Sequence, residues 1–504
     1  MKAETKYKGS LKLAAIGDAL GWITEFERNN DTLHSKYGED YITKFHDWEK
    51  QVGGRFYGYR DRIKAGSYSD DTQLLLAVAR SINEKGFVDQ NYFSKVELPN
   101  WLLYARGAGR TIKNAARKIE RKSAKWNKNF FTFKVGKKTV DYRQSGANGA
   151  AMRVLPIALA NFGDLDKIKL QIFENSIITH GHPRAILGAM LYGYAVDTIL
   201  RFSPENFNFT KYLTELGTDI EQKLSIPFIK QADLKSWETE WNKKNDITFQ
   251  ESFNEVIVET HEYLRHVYIL IKNNDSNFDA LSKLGCYKNE TKGSGISTVI
   301  AGIYLACKYS SQPVKGIEEA VNSIGTDTDS IAAFAGGLIG ALHGQSIIPK
   351  KWKKVQDYDY LDKTATRLLE ISENRAKPIK ENVNDDNGKS INIIDSNNYK
   401  KNDEIYFNPL GSGVITFIDE QDTVTKGKYN LILSVNFKLG QSCIFSKLLN
   451  LDSKLNIKDY INKFTKEDYE TLIKLISADD KYKTINFLLE KMPVLSKMHK
   501  SGKG

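Results

Sequence analysis

Apolar residues recur at helical spacing through most of the first 376 positions. One such pattern covers about residues 11–20, and a second begins at Ser69. A third segment, 331–342, consists of small and apolar residues and follows a short polar stretch. Residues three or four positions apart share one face of a helix, so these patterns predict buried helices. The polar segment 202–276 contains further helical pieces, whose apolar side is expected to pack on the main body.

The character of the chain changes after residue 376. Residues 377–401 are rich in Asn, Asp, Lys and Ser, which is typical of a linker. Residues 402–452 alternate between apolar and polar positions around a glycine turn, which predicts a small SH3- or Tudor-like β-barrel. Residues 453–504 have the pattern of short C-terminal helices. The sequence therefore predicts a mainly α fold in which an all-α domain over 1–376 precedes these three parts.

The composition is that of a globular protein. Of 504 residues, 41% are hydrophobic and 27% are charged, and the three cysteines lack the spacing of a zinc site or a disulfide framework. No window approaches the roughly 20 apolar residues that a membrane helix needs. We therefore expect a soluble protein of the reducing cytoplasm, with no membrane partner. The net charge of +11 favours polyanionic partners or phosphate-bearing substrates.

The strongest local charge bias lies in the segment Arg110–Lys138, where basic residues far outnumber acids and aromatic residues are interleaved. Cations that meet phosphates and rings that stack on bases are what a nucleic-acid surface uses. A solvated helix with a basic face, followed by a hairpin, explains the same pattern. Nucleic-acid contact through this segment is therefore one of two open interpretations.

Carboxylates and hydroxyls gather at the predicted starts of two apolar helices, SDDT at 69–72 and DTDS at 327–330. One acid at a helix start is ordinary capping, worth about 1 kcal/mol. The same oxygens are the ligands that Mg²⁺ and Mn²⁺ prefer, and two facing starts would hold one or two cations. Asp18 and Glu25, at the exit of the first helix, are further candidate carboxylates. If the two starts meet, their helices must cross closely, which the small residues between Ala332 and Gly340 permit.

Glycine-rich loops supply candidate ligand contacts. The loop SGANGAAMR at 145–153 allows close approach of the backbone, which suits a pyrophosphate or a ribose. GSG at 293–295 is a second loop of small residues that enters an apolar helix. His180 and His182 either contact a ligand or belong to an ordinary loop, and no third residue nearby completes a transition-metal set.

Five strings, in this order, resemble the motifs of the ADP-ribosylglycohydrolase family, which includes the dinitrogenase reductase-activating glycohydrolases. The strings are GDALGWITEF (17–26), SDDT (69–72), SGANGAAMR (145–153), THGHPRA (179–185) and GTDTDSIAAFAGG (325–337). An IPxxW ending follows at 348–352. The resemblance covers about the first 370 residues and does not extend to the tail.

The resemblance implies an all-α domain with a binuclear Mg²⁺ or Mn²⁺ site that hydrolyses the glycosidic bond at C1″ of an ADP-ribosyl group on a protein or nucleic acid. The implied metal ligands are Ser69, Asp70, Asp71, Asp327, Asp329 and Ser330. The implied catalytic acids are Glu25, Asp70 and Asp71, among which the sequence does not choose. The implied contacts to the ribose, the phosphates and the rest of the nucleotide are Gly107, Gly109, Ser145, Gly146, Asn148, Gly149, Met152, His180, Gly293, Ser294 and Gly295.

The chain departs from the family pattern at a few positions. Ser69 and Ser330 stand where the family usually has Thr, which keeps the hydroxyl, and Ala147 stands where Gly is common. No metal carboxylate is lost, so we expect an active hydrolase. The alternative is a module that binds ADP-ribose or nucleic acid without turnover. For the C-terminal barrel, delivery to a target and a purely structural role remain alternatives.

Overall fold

Helices dominate the part of the chain that the structure, a computed structural model, describes: residues 2–53, 58–378, 389–390, 399–450 and 464–491. This confirms the predicted mainly α architecture. The chain divides into two compact units, one made of residues 1–48, 64–385 and 439–441 and the other of residues 49–63, 386–438 and 442–504. The predicted boundaries at residues 376, 401 and 452 stay predictions.

The elements are numbered in chain order. The helices are α1 (Ala3–Thr24), α2 (Asn30–Tyr37), α3 (Asp70–Arg80), α4 (Gln90–Tyr92), α5 (Leu98–Trp101), α6 (Arg110–Ile119), α7 (Leu155–Ala160), α8 (Leu165–Ile177), α9 (Pro183–Ile199), α10 (Phe209–Gly217), α11 (Ile220–Lys223), α12 (Ala232–Asn242), α13 (Phe249–Lys272), α14 (Asn277–Lys283), α15 (Gly295–Lys308), α16 (Pro313–Val321), α17 (Thr328–His343), α18 (Tyr358–Ser372), α19 (Lys466–Ser477) and α20 (Lys481–Lys491). The strands are β1 (Trp48–Val52), β2 (Tyr59–Ile63), β3 (Thr132–Val135), β4 (Lys138–Asp141), β5 (Lys389–Ser390), β6 (Glu404–Phe407), β7 (Gly411–Asp422), β8 (Lys428–Phe437) and β9 (Ser442–Asn450). Each helix in the described residues is too short or too polar to be a candidate membrane span.

The core of the first unit is built around α1 and α17, whose backbones touch. A Cβ placed on Gly17 would lie 2.1 Å from the carbonyl oxygen of Ala332, and a Cβ on Gly336 would lie 2.1 Å from that of Leu13. Any larger residue would force the helices apart. The glycines of α17 therefore admit α1, which the sequence analysis did not name, whereas Ala333 of α17 lies beside Asp71 and Leu75 of α3.

This packing fixes the end of α1 against the start of α17. The Thr328 hydroxyl donates to the carbonyl oxygen of Gly21 at 2.8 Å, and it lies 3.1 Å from the hydroxyl of Thr24. Glu25 follows directly as the C-terminal cap residue of α1. Glu25, at the end of α1, is thereby held next to the acidic start of α17.

The polar segment 202–276 folds into α10 to α13 and packs on the main body, as predicted. The apolar side of α13 is buried, including Phe249 and Phe253. Trp237 of α12 meets Phe249 edge to face, with ring centroids 4.8 Å apart. Phe173 of α8 meets the same Trp237 ring at 5.6 Å, which ties the segment to the main helical body.

The second unit contains an open sheet in the strand order β5-β6-β7-β8-β9. Strands β6 to β9 are antiparallel, and the two residues of β5 add a parallel edge. Closure into an SH3-like barrel is not confirmed, because within the described residues β9 pairs with β8 alone among the strands. Alternation predicts strands, whereas closure depends on tilt and register between the first and last strand, which alternation does not encode.

The hairpin of β1 and β2 supplies residues 49–63 to this second unit. Gly58 donates its N–H to the hydroxyl of Thr425 at 2.8 Å, and its carbonyl oxygen accepts from the N–H of Val424 at 2.9 Å. The hydroxyls of Ser446 and Tyr59 are 2.7 Å apart. An early piece of the chain, with its own two-stranded sheet, therefore belongs to the second unit, which the sequence analysis did not anticipate.

Candidate active site

The first acidic start belongs to α3. Ser69 is its N-cap, in an extended conformation, and its hydroxyl accepts from the N–H of Asp71 at 3.2 Å. Asp70 and Asp71 occupy the first turn, where the positive end of the helix dipole favours carboxylates. Both acids are buried, at 8% and 5% exposure. A buried pair of acids exceeds what capping needs, since the Ser69 hydroxyl already accepts from the first turn.

Asp18, which belongs to α1, accepts hydrogen bonds from residues at the start of α3. Its carboxylate accepts from the N–H of Ser69 at 3.1 Å and from the N–H of Thr72 at 3.0 Å. The Thr72 hydroxyl donates to the same carboxylate. Burial raises the pKa of Asp18, while these hydrogen bonds act to lower that pKa. Asp18 thus satisfies backbone donors at the start of α3, so these donors do not depend on the carboxylates of Asp70 and Asp71.

The second acidic start belongs to α17. Asp327 occupies its N-cap position, yet its side chain makes no capping hydrogen bond. Instead, Asn148 donates its amide Nδ2 to Oδ2 of Asp327 at 3.1 Å. Asp329 and Ser330 follow in the first turn and are buried. The capping interpretation of this motif is therefore wrong for Asp327, whose carboxylate points to other side chains.

The first turn of α3 and the first turn of α17 are in contact. Ser330 donates its hydroxyl to Oδ2 of Asp71 at 2.7 Å. Glu25, Asp327 and Asp329 each offer a carboxylate oxygen, and these oxygens all lie within 4.8 Å of one another. The structure thus brings together oxygens from α1, α3 and α17 that are far apart in the sequence, and carboxylates at such spacing are able to share a cation.

Electrostatics make this cluster unfavourable without a cation. The pKa of Asp329 is raised well above its ordinary value, first by burial and then by the charges of Glu25, Asp327 and Asp71. The pKa of Asp71 is raised in the same direction by burial and by neighbouring acids, while the hydrogen bond from Ser330 lowers it. Like charges that share a buried site cannot all ionise unless positive charge offsets them.

The loop of Gly107 and Gly109 approaches the first acidic start. Gly107 has a φ of +95°, and a Cβ on it would lie 2.7 Å from Oδ1 of Asp70. Gly109 is the N-cap of α6 and makes no side-chain cap, which leaves N–H groups at a helix start. Helix starts of this kind bind phosphate oxygens. The residues implied for phosphate contact therefore lie next to an implied metal carboxylate.

Gln73 holds this loop in place, which sequence reasoning missed. Its side-chain oxygen accepts from Trp101 Nε1 at 3.0 Å and from the N–H of Arg106 at 3.2 Å. Its amide donates to the carbonyl oxygen of Tyr104 at 3.1 Å. A polar residue between SDDT and the apolar run that begins at Leu74 was the only available signal.

The two small-residue loops pair with each other. Asn148 donates its N–H to the carbonyl oxygen of Gly293 at 2.9 Å, and Gly295 donates to that of Gly146 at 3.0 Å. A Cβ on Gly293 would lie 2.8 Å from Oδ2 of Asp327. The hydroxyl of Ser145 is buried and has no hydrogen-bond partner among the described residues. The predicted ligand loops therefore form one surface that reaches Asp327.

Arg153, the last residue of the predicted ligand loop 145–153, supports this surface from inside, a role that the sequence analysis did not predict. Its guanidinium is fully buried, and it donates to the carbonyl oxygen of Gly149 at 2.6 Å, to Asn175 Oδ1 at 2.8 Å and to the hydroxyl of Thr179 at 2.8 Å. Burial lowers its pKa to about 9. A charged residue just before the apolar run 154–160 was the signal for a buried, fully bonded arginine.

His180 and Met152 lie behind the loops. Burial is the main cause that lowers the pKa of His180 to about 3, so the ring is neutral near pH 7. His180 is hydrogen-bonded to the Thr179 hydroxyl at 2.8 Å, and a Cβ on Gly149 would lie 2.9 Å from its ring. Met152 and Asp71 border the same narrow gap between side chains. Both residues therefore lie next to the loops or the acidic cluster, and their contact with the nucleotide stays a prediction.

The basic segment forms α6 followed by the hairpin of β3 and β4, as the second interpretation predicted. Helix α6 buries an apolar side that includes Ile112 and Ile119. The Phe130 ring packs at 4.9 Å from Tyr142 and lies under the Arg143 guanidinium at 4.5 Å. These contacts explain Phe130 as a packed residue. Nucleic-acid contact through Arg110–Lys138 stays a prediction.

Comparison with known proteins agrees with this architecture. The family described as ADP-ribosylglycohydrolase matches residues 1–378. The chain therefore belongs to the ADP-ribosylglycohydrolase family, and the resemblance inferred from the five strings is confirmed.

Several named relatives match. The ADP-ribosyl-[dinitrogen reductase] glycohydrolase of Rhodospirillum rubrum is 30% identical over 188 residues, which is 37% of this chain and 55% of that protein. The ADP-ribosylarginine hydrolase Tri1 of Serratia proteamaculans is 23% identical over 69% of this chain and 74% of its own length. ADP-ribosylhydrolase ARH3 of Xenopus tropicalis is 24% identical over 69% of this chain and 90% of its own length. Family and relatives indicate ADP-ribosyl hydrolase activity, and they do not favour the alternative of a silent binding module.

Proposed function

We propose that the chain is a hydrolase, dependent on Mg²⁺ or Mn²⁺, that cleaves the glycosidic bond between an ADP-ribosyl group and a macromolecule and releases ADP-ribose. The observation that carries the proposal is the hydrogen bond from Ser330 to Asp71, which joins the two acidic helix starts. Protein is the first acceptor to test, because two relatives are named for ADP-ribosylarginine and for dinitrogen reductase.

The donor set fits two divalent cations. The oxygens would come from Ser69, Asp70, Asp71, Asp327, Asp329 and Ser330. All are carboxylates or hydroxyls, which hard cations prefer over nitrogen or sulfur. When bound, the ions supply positive charge that offsets the crowded acids, orients the ribose hydroxyls and lowers the pKa of water.

The protein's own groups would divide the remaining work. Breaking a glycosidic bond requires a base to take a proton from water and an acid for the leaving group. Asp70 and Asp71 are buried, whereas Glu25 is partly exposed beside Asp327 and Asp329. We therefore assign proton transfer to Glu25 and cation binding to Asp70 and Asp71.

The nucleotide would be held by backbone groups. The start of α6 at Gly107 and Gly109 suits the phosphates, since helix N-termini stabilise anions. The buried hydroxyl of Ser145, which has no hydrogen-bond partner among the described residues, is a further donor for the ribose or diphosphate. Asn148 contacts Asp327 and would align the ribose with the acids.

A substrate panel tests the proposal. Purified protein is incubated with ADP-ribosylated arginine, serine and nucleic-acid substrates, with Mg²⁺ or Mn²⁺, and free ADP-ribose is quantified. We expect release from at least one protein-linked substrate, and loss of release in Asp71→Asn. Absence of release from every class, with divalent metal bound to the protein, contradicts the proposal.

A further inference from the structure

A cleft of about 640 Å³ opens in the first unit next to the segments that carry the acidic cluster. Its wall includes Arg28, shortly after Glu25 in the chain, and Ile324, shortly before Asp327. The ring of Tyr287, another wall residue, lies 3.3 Å from where a Cβ on Gly325 would be. The cleft is therefore bordered by extensions of the two segments that hold Glu25 and Asp327.

The cleft is acidic in a chain whose net charge is +11. Three carboxylates, of Asp31, Asp40 and Glu319, face one guanidinium, that of Arg28. Asp40 lies 2.9 Å from Nδ1 of the exposed His34. A concave surface with excess negative charge attracts a cationic ligand and repels polyphosphate.

Neutral groups orient Glu319, one of the three acids that line the cleft. Glu319 accepts from Asn277 Nδ2 at 2.6 Å and from the Tyr41 hydroxyl at 3.2 Å, so these donors fix its position without cancelling its charge. Tyr41 and Phe278 are exposed, at 38% and 65%, and Phe278 packs 5.0 Å from Tyr287. Aromatic faces beside carboxylates are what guanidinium and ammonium groups bind.

We propose that this cleft binds the acceptor polypeptide next to its ADP-ribosylated residue and favours acceptors with Lys or Arg there. The inference rests on the proposed function, because it assigns the leaving-group side of the same site. The loops 145–149 and 293–295 reach Asp327 and are assigned to the nucleotide, which leaves this cleft for the acceptor. A nucleic-acid acceptor is disfavoured here, since its phosphates would face three carboxylates.

The test uses the full chain and compares the triple variant Asp31→Asn, Asp40→Asn, Glu319→Gln with the wild type. Glu262→Gln, an exposed acid on α13 outside the cleft, is the matched control. The substrates are a peptide with one ADP-ribosylated arginine flanked by lysines, the same peptide with glutamines for lysines, and ADP-ribosylarginine alone. Phe278→Ala serves as a second variant that removes no charge.

We expect the triple variant to raise KM for the lysine peptide about five-fold or more with kcat unchanged, because several screened charges each contribute a few-fold. KM for the glutamine peptide and for ADP-ribosylarginine should change less than about two-fold, and added salt should erase the difference. Phe278→Ala should weaken the lysine peptide more than the glutamine peptide, because the ring contributes to binding of the cation. An equal loss on all three substrates, or no loss on any, overturns the proposal.

A binding measurement separates this inference from the proposed function. The unmodified lysine peptide, labelled with a fluorophore, is titrated with each protein and followed by anisotropy. Weaker binding by the triple variant supports the cleft even where no protein releases ADP-ribose, an outcome that contradicts the hydrolase alone. Equal binding by wild type, control and triple variant overturns the cleft whether or not the wild type is active.

Discussion

The hydroxyl of Ser330 donates a hydrogen bond of 2.7 Å to the carboxylate of Asp71, a residue 259 positions earlier in the chain. This contact joins the first turns of α17 and α3. It follows from the packing of α17 against α1, since α1 also carries Asp18, the carboxylate that holds the start of α3. One helix thus sets the distance between the two halves of the acidic site.

Ser330→Ala tests that contact. The change removes the donor to Asp71, and a hydrogen bond to a charged group is worth about 1.5–3 kcal/mol, so we expect roughly a ten-fold or greater fall in kcat/KM. The concentration of Mg²⁺ that gives half-maximal activity should rise. Ser330→Thr keeps the hydroxyl and should stay within about two-fold of the wild type. Equal activity of all three proteins would show that the contact is incidental.

Asp18→Asn tests whether the Asp18 carboxylate of α1 stabilises the start of α3. Asparagine keeps the shape but replaces an acceptor oxygen with an amide that faces the N–H groups of Ser69 or Thr72. We expect the free energy of unfolding to fall by about 2–3 kcal/mol, the cost of unsatisfied buried donors, together with weaker activation by metal. Urea unfolding and activity titrations with Mg²⁺ measure both. A variant as stable as the wild type would contradict the role of Asp18.

Two neighbouring glycines form a matched pair for the phosphate loop. Gly107→Ala places a Cβ 2.7 Å from Oδ1 of Asp70 at a φ of +95°, which requires the loop or the acid to move. A Cβ on Gly109 meets nothing within 4 Å. We expect Gly107→Ala to weaken ADP-ribose binding by about ten-fold or more, as strain at such a position costs about 1–3 kcal/mol, and Gly109→Ala to bind nearly normally. Isothermal titration calorimetry measures both, and the reverse order would refute the prediction.

Glu174 gives a stability prediction with a defined pH window. Burial, more than the nearby charge of Asp233, raises its pKa from the ordinary 4.5 to about 7, despite hydrogen bonds from Gln90 and Gln171. The folded state therefore holds a proton that the unfolded state releases, and stability is lost as pH rises between these values. Glu174→Gln should raise the free energy of unfolding at about pH 8 by up to about 3 kcal/mol and have little effect near pH 4. Urea unfolding across this range checks the sign, with Glu262→Gln as control.

Much of the acidic site was predictable because its residues lie in short strings. SDDT and DTDS each place oxygens at a helix start, and the family resemblance paired the two strings. Asp18 was recognised as a candidate carboxylate, but its capping of Ser69 and Thr72 was not, because a contact between residues so far apart in sequence leaves no periodic signal. The support that Gln73 and Arg153 give to the loops was missed for the same reason.

Sequence reasoning missed two things: which helix packs against the glycines of α17, and whether the C-terminal sheet closes into a barrel. The small residues of α17 predict a close helix contact, yet nothing in their spacing says that the other helix is α1 rather than α3. In the tail, alternation predicts strands correctly, while the pairing order that leaves the sheet open depends on register. The hairpin 49–63 belongs to the second unit through side-chain and backbone contacts with residues far along the chain, such as Thr425. Local sequence patterns do not encode such contacts.

The central claim is that the acids of α3 and α17 act together through a divalent cation to release ADP-ribose. The most direct measurement is release of ADP-ribose from an ADP-ribosylated arginine protein by metal-depleted enzyme, as Mg²⁺ or Mn²⁺ is added back, for wild type, Asp71→Asn and Asp327→Asn. We predict no release without metal, saturable recovery for the wild type, and a loss of about 100-fold or more in either variant, as expected where charge stabilisation is removed. Full activity without metal, or near-normal rates in both variants, would contradict the claim.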